Sequence, residues 1–104
     1  MTKTMQVFLT GELLESSASL TLGQLCRISR LSAEEVAELV DFGILEPLEA
    51  GASQWQFSAA NIHRARCARR LRDDLGINTP GLALALDLLE ELESLRERLH
   101  RLEG

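Results

Sequence analysis

His63 and Cys67 lie four residues apart, one turn of a helix, so an imidazole and a thiol can reach the same metal ion. A closed tetrahedral site needs four donors, and no second pair follows at a comparable spacing: the other cysteine, Cys26, stands 41 residues earlier. The two cysteines therefore read as reduced thiols on apolar helical faces. No metal and no cofactor is expected. His63 and His100 have neither a nucleophile nor an orienting carboxylate at a useful spacing, and the chain holds no Gly-rich phosphate loop and no carboxylate pair in an apolar setting. The chain is therefore expected not to be an enzyme. What remains is charge. Glu34, Glu35, Glu38 and Asp41 fall within one short segment that contains no Lys or Arg, and the chemistry of such a segment is recognition of a cationic partner.

The elements that must position these acids follow from capping and turn residues. Thr21 caps a first helix from Leu22 to about Ser29, with Leu22, Leu25, Cys26 and Ile28 inward. After a turn at Arg30-Leu31, Ser32 and Glu35 form a capping box for a second helix over Ala33–Phe42, which buries Val36, Leu39 and Val40 and stops at Gly43. Ile44-Leu45 reads as a short β segment and Gln54–Phe57 as a returning strand, with Pro47 and the loop Glu49–Ser53 between them, a small β-hairpin wing. Ser58 caps a third helix, Ala59–Leu75, whose inward stripe is Ile62, Ala65, Ala68, Leu71 and Leu75, and Gly76 ends it. Thr79 as cap and Pro80 at the first position open a last helix that runs to about Leu102. Before all this, Gln6–Leu9 reads as a short strand and Gly11–Ser19 as a loop. Three parts result: an N-terminal extension over 1–19, a helix-turn-helix head over 20–76, and a C-terminal helix over 77–104.

The chain of 104 residues has 45% hydrophobic and 26% charged residues, which places it among ordinary globular domains, and 4% aromatics, which makes the core aliphatic. Its net charge of −5 opposes non-specific binding to nucleic acid or to an anionic membrane. No apolar run reaches membrane-span length and no signal-peptide pattern opens the chain, so the expected location is the cytoplasm. The charge is uneven. Residues 1–60 hold three basic and eight acidic side chains, residues 61–80 five arginines and two aspartates, and residues 81–104 three arginines and six acids.

In the last helix Leu88, Leu92, Leu95, Leu99 and Leu102 recur at alternating steps of four and three, a heptad seam. Glu91 and Arg96, then Arg98 and Glu103, flank it with opposite signs, which suits a homodimer in either orientation. Leu82, Leu86 and Leu89 form a second stripe that can pack back on the head. The competing reading is that the heptad stripe only covers the head.

Helix, turn, capped helix, Gly43-Ile-Leu-Glu-Pro47, hairpin, arginine-rich helix and long leucine helix follow one another in an order that resembles the MerR-type winged helix-turn-helix. More specifically, the chain resembles the CbpM family of chaperone modulatory proteins over about residues 20–102. The likeness rests on Leu20-Thr-Leu22 with Leu25-Cys26, Leu31-Ser32 with Glu34-Glu35, Glu38-Leu39-Val40, Gly43–Pro47, Trp55-Gln-Phe57, Arg69–Leu75, and Pro80-Gly81 with Ala83–Leu86. DNA-reading MerR proteins carry two arginines and two tyrosines along the second helix; the matching run here is Glu34–Leu39, which has none of them. Their wing carries an arginine near a tyrosine, where this chain has Trp55-Gln-Phe57. Phosphate contacts supply the affinity of a groove-reading helix, so the resemblance implies a kept scaffold that has lost direct nucleic-acid binding.

The resemblance implies a mainly α, MerR-like fold and a non-enzymatic modulator. It would bind the J-domain of a DnaJ-like, CbpA-type co-chaperone, inhibiting its co-chaperone activity and its DNA binding. J-domains present a basic helix, to which the acids of the second helix would be drawn. The expected partner-binding residues are Glu34, Glu35, Glu38, Asp41 and Trp55. The alternative function is a MerR-family transcriptional regulator using Arg27, Arg30 and the third helix on DNA. Each residue also has a plainer reading: the acids as a solvated face with Glu35 only capping, Trp55 as a strap holding the wing on the third helix, Leu48 and Phe57 as core. Arg64, Arg66, Arg69, Arg70 and Arg72 read as a salt-laced face with Arg69–Asp73 and Arg70–Asp74 pairs, or else as a basic stripe that meets acids on the co-chaperone or a second subunit.

Overall fold

A computed structural model describes residues 19–49 and 51–103; the expected strand over Gln6–Leu9 and all but the last residue of the expected loop Gly11–Ser19 lie outside them. Helix α1 spans Leu22–Ser29, α2 Ala33–Asp41, α3 Ala60–Leu75 and α4 Thr79–Glu103, and two two-residue strands, β1 at Leu20–Thr21 and β2 at Gln56–Phe57, pair antiparallel. The class is as expected, mainly α with a small antiparallel sheet. Among the described residues no helix is long and apolar enough to cross a membrane.

Both helices of the helix-turn-helix open on reciprocal capping boxes. Thr21 Oγ1 accepts from the Gln24 N–H at 3.1 Å while Gln24 Oε1 accepts from the Thr21 N–H at 2.9 Å. Ser32 and Glu35 repeat the exchange for α2 at 3.1 and 2.8 Å. The turn between them places Arg30 in the left-handed region at φ 63, a conformation that costs a residue with a Cβ on the order of 1 kcal/mol. Gly43 adopts the same region without that cost at φ 73, and the chain reverses so sharply there that the N–H groups of Ile44 and Leu45 both reach Leu39 O.

Several boundaries differ from expectation. Ile44-Leu45 is not a strand. Its residues are 1% exposed and serve as core, and the returning arm pairs instead with β1, Leu20 opposite Phe57 and Thr21 opposite Gln56. Across the wing the Leu48 N–H donates to Gln56 O at 2.7 Å. The two-residue strands thus form because the chain before α1, not the one after α2, pairs with the returning arm. Ser58 does not cap α3: the cap position is Ala59, which offers no side-chain bond, and Ser58 Oγ accepts from the Asn61 side chain. Asn78, not Thr79, caps α4, taking the Gly81 N–H at 2.9 Å; Thr79 is already helical, so Pro80 stands at the second helical position rather than the first.

The core gathers Leu20, Leu25, Leu31, Val36, Leu39, Ile44, Leu45, Phe57, Ile62, Leu82 and Leu86 around Ala65 and Ala68 of α3. The two alanines are what let α1 and α4 both lie close against α3. Phe57 is fully buried, a contribution of about 1.5–3 kcal/mol for a side chain of its size. Three apolar residues expected inside are not: Leu48 on the wing, Leu75 in the last turn of α3 and Leu89 of α4 are 58%, 67% and 46% exposed. Leu48 and Leu75 lie where the chain turns away from the core, and Leu89 follows Leu86, the last buried residue of α4.

Candidate partner-binding surface

Helix α2 buries Val36 and Leu39 against the head, and that choice fixes which side its acids take. Glu34, Glu38 and Asp41 follow at steps of four and three, so they lie along one line of the opposite face, and all three are exposed. Glu35 stands apart from that line. It is committed inward, accepting the Ser32 N–H and forming a 2.6 Å ion pair with Arg72 of α3. The Ser32 N–H first, and the Arg72 charge with it, hold the Glu35 carboxyl below its ordinary value against the opposing effect of burial. Glu38 is anchored too: its carboxylate accepts from the Thr79 hydroxyl at 2.8 Å, which ties the middle of the acidic line to the first residue of α4. Neither Arg72 nor Thr79 figured among the expected site residues, because their partners stand 37 and 41 residues away in sequence and no local spacing announces them.

The surroundings reinforce the sign. From Leu31 to His63 the chain has no Lys or Arg and six acids. The arginines of α3 do not offset this at the surface, because most are spent within the molecule. Arg64 donates through Nε to Ile44 O at 2.7 Å and pairs with Glu90 of α4. Arg66 donates to Ile28 O at the end of α1. Arg69 pairs with Asp73, and Arg72 with Asp73 and Glu35. The expected Arg70–Asp74 pair does not form; Arg70 is exposed. Arg64, Arg66 and Arg72 are thus struts between α3 and its neighbours.

Trp55 is half-buried. It meets Phe57 edge-on, ring centres 6.0 Å apart, and packs against the core cluster. Its open side lines a shallow depression with Thr21, Leu22, Gly23, Ser53, Gln54 and Gln56, none of them in α2. The acids and Trp55 are thus held by different elements. The leucines of the heptad seam remain uncovered along α4: Leu88, Leu92, Leu95 and Leu99 are each close to half exposed and Leu102 more so, whereas Leu82 and Leu86 are buried in the head.

Cys67 Sγ lies 3.5 Å from His63 Nε2, so the helical spacing does bring the two side chains together. No third metal-ligating residue joins them among the described residues. Burial pushes the thiols of Cys26 and Cys67 above their ordinary value, which leaves both protonated at neutral pH and poor nucleophiles.

Two capped helices at a tight turn, a short wing and a long terminal helix define a helix-turn-helix regulatory scaffold, and residues 20–104 match the family model described as MerR HTH family regulatory protein. The chain is 37% identical over 93 residues to the chaperone modulatory protein CbpM of Coxiella burnetii, covering 89% of this chain and 88% of that protein. It is 36% identical over 86 residues to the protein of the same name from Salmonella arizonae, covering 83% and 85%, and 37% over 81 residues to that of Salmonella paratyphi B, covering 78% and 80%. The chain belongs to the chaperone modulatory protein CbpM family.

Proposed function

We propose that this chain is a non-enzymatic modulator that binds the J-domain of a DnaJ-like, CbpA-type co-chaperone. By occupying that surface it blocks docking to the Hsp70 partner and lowers the co-chaperone's own DNA binding. Family membership supports the coarser part, modulation of a chaperone. The observation that carries the finer part is the exposed line of Glu34, Glu38 and Asp41 within a stretch free of Lys and Arg. A basic helix is drawn to such a line, and complementarity of this kind speeds encounter and sets register. The same charges oppose the alternative, a MerR-family DNA-binding regulator, whose reading helix would face phosphates with carboxylates. The exposed seam Leu88–Leu102 supports a homodimer through α4.

The test is a calorimetric titration of the full chain with an isolated J-domain, repeated with Glu34→Lys combined with Asp41→Lys. Both positions are exposed, so folding should hold, and affinity should fall about 30-fold as two attractions become repulsions. An unchanged Kd in the double variant would remove α2 from the interface. A gel shift with duplex DNA distinguishes the alternative, since tight binding with a steep salt dependence would favour a transcriptional regulator. Sedimentation equilibrium of the chain against Leu92→Glu with Leu95→Glu tests the dimer, with the variant expected at monomer mass.

A further inference from the structure

The line of acids on α2 does not end at Asp41. Glu34, Glu38 and Phe42 stand at i, i+4 and i+8, and Phe42 closes the helix at φ −94, ψ 9, near enough to helical that its position continues the same side. Phe42 is 46% exposed, the most open aromatic among the described residues, since Phe57 is buried and Trp55 half-buried. The core does not need its ring. The chain reverses immediately after it, and the following apolar pair, Ile44 and Leu45, fills the interior instead.

We infer that Phe42 is the apolar anchor of the partner interface, and that the surface it completes fits an amphipathic basic helix carrying an exposed apolar residue within one turn of its Lys or Arg side chains. This deepens the reading under Proposed function and rests on it. The argument has two parts. Interfaces draw most of their energy from a few aromatic or similar anchors that become desolvated, with surrounding charges excluding water and setting orientation. An exposed line of carboxylates has no such anchor of its own, and rim charges contribute more to association rate than to residence. Phe42 supplies it at the end of that line, next to Asp41 and one turn from Glu38. Its ring face also suits a Lys or Arg drawn in by those carboxylates. Glu38, held by Thr79, is fixed in place one turn before the ring.

The two contributions have different signatures, which makes the inference testable on the full chain with a J-domain as the probe. Phe42→Ala should weaken binding about 30-fold, mostly through faster dissociation, and should leave the salt dependence of Kd as it is in the parent. Glu34→Gln combined with Asp41→Asn should instead slow association and flatten the salt dependence. Phe42→Leu, which keeps apolar bulk, should bind within about threefold of the parent, while Phe42→Gln should match the alanine variant. Thermal melts check that each variant folds, and the glutamine variant carries the test if the alanine one does not fold. If the parent binds and Phe42→Ala and Phe42→Gln bind within twofold of it, the anchor is wrong while the proposed function stands. If the parent itself does not bind a J-domain, both fall. If Phe42→Ala lowers the sedimentation mass instead, Phe42 belongs to a contact between copies, and the inference is overturned.

Discussion

Five arginines on α3 and four acids on α2 are similar in number, yet three of the arginines reach other elements of the same molecule and a fourth pairs along α3, while Glu34 and Asp41 meet no charged or hydrogen-bonding partner among the described residues. The difference comes from where each helix lies. Helix α3 is central, packed by α1 on one side and α4 on another, so a long guanidinium leaving its edge finds a carbonyl or carboxylate on a neighbour. Helix α2 contributes one buried side and leaves the other to solvent. Net charge by segment therefore misleads. The basic segment holds the head together and the acidic one is offered outward, so the surface that a partner meets is more negative than the composition suggests.

Removing a strut should produce the largest change in stability. Arg64 bridges Ile44 O and Glu90, and Arg64→Ala strips a partner from a carbonyl in a buried residue, which costs about 2 kcal/mol. In a domain of this size that lowers Tm by roughly 10 °C. Binding to a J-domain, measured below the new melting range, should change less than twofold. The comparison breaks if the opposite pattern appears, a stable Arg64→Ala protein that no longer binds.

Much of this was legible in the sequence, and the limits are physical. Caps and turns gave α1 and α2 nearly to the residue, because Thr21, Ser32 and Gly43 act on their immediate neighbours. The leucine seam and the acidic line were legible for the same reason, since helical spacing alone places them. What could not be read were choices among distant partners. Leu20–Thr21 and Ile44-Leu45 are both short segments able to pair with Gln56–Phe57, and only the assembled core decides that the first does so. Ser58 and Thr79 have the right residue type for caps, yet Ala59 and Asn78 hold those positions because Ser58 serves Asn61 and Thr79 serves Glu38. The roles of Arg72 and Thr79 in fixing the acids depend on contacts across the fold, as does the exposure of Phe42.

Glu35 lies on the boundary between the two regions, an α2 acid used as α3 uses its arginines, and pH can isolate it. Its carboxyl is held below the ordinary value chiefly by the Ser32 N–H and then by Arg72. A depressed carboxyl stabilises the fold fully above its unfolded value, about 4.3, and loses that contribution as pH falls through the lower folded value. Glu35→Gln should therefore melt below the parent at neutral pH, and the gap should narrow on acidification. The shared bridge is partly exposed, so the gap is a matter of a few degrees. A gap that stays constant from neutral to acid pH would show that the charge of Glu35 does not matter and that only its bulk does.

Arg70 gives the smallest expected effect and the sharpest contrast with Arg64. It is exposed and forms no ion pair among the described residues, so Arg70→Ala should shift stability by less than about 0.5 kcal/mol. Its effect on binding should have the sign opposite to that of the α2 variants. Removing a cation makes the chain more negative overall, which draws a basic partner slightly faster. Association should rise by less than about twofold at low salt and return to the parent rate as salt is added. If Arg70→Ala instead slows association or weakens the complex, then α3 also faces a partner. The division between a helix that holds the molecule together and a helix that meets its ligand would then have to be redrawn at Arg70.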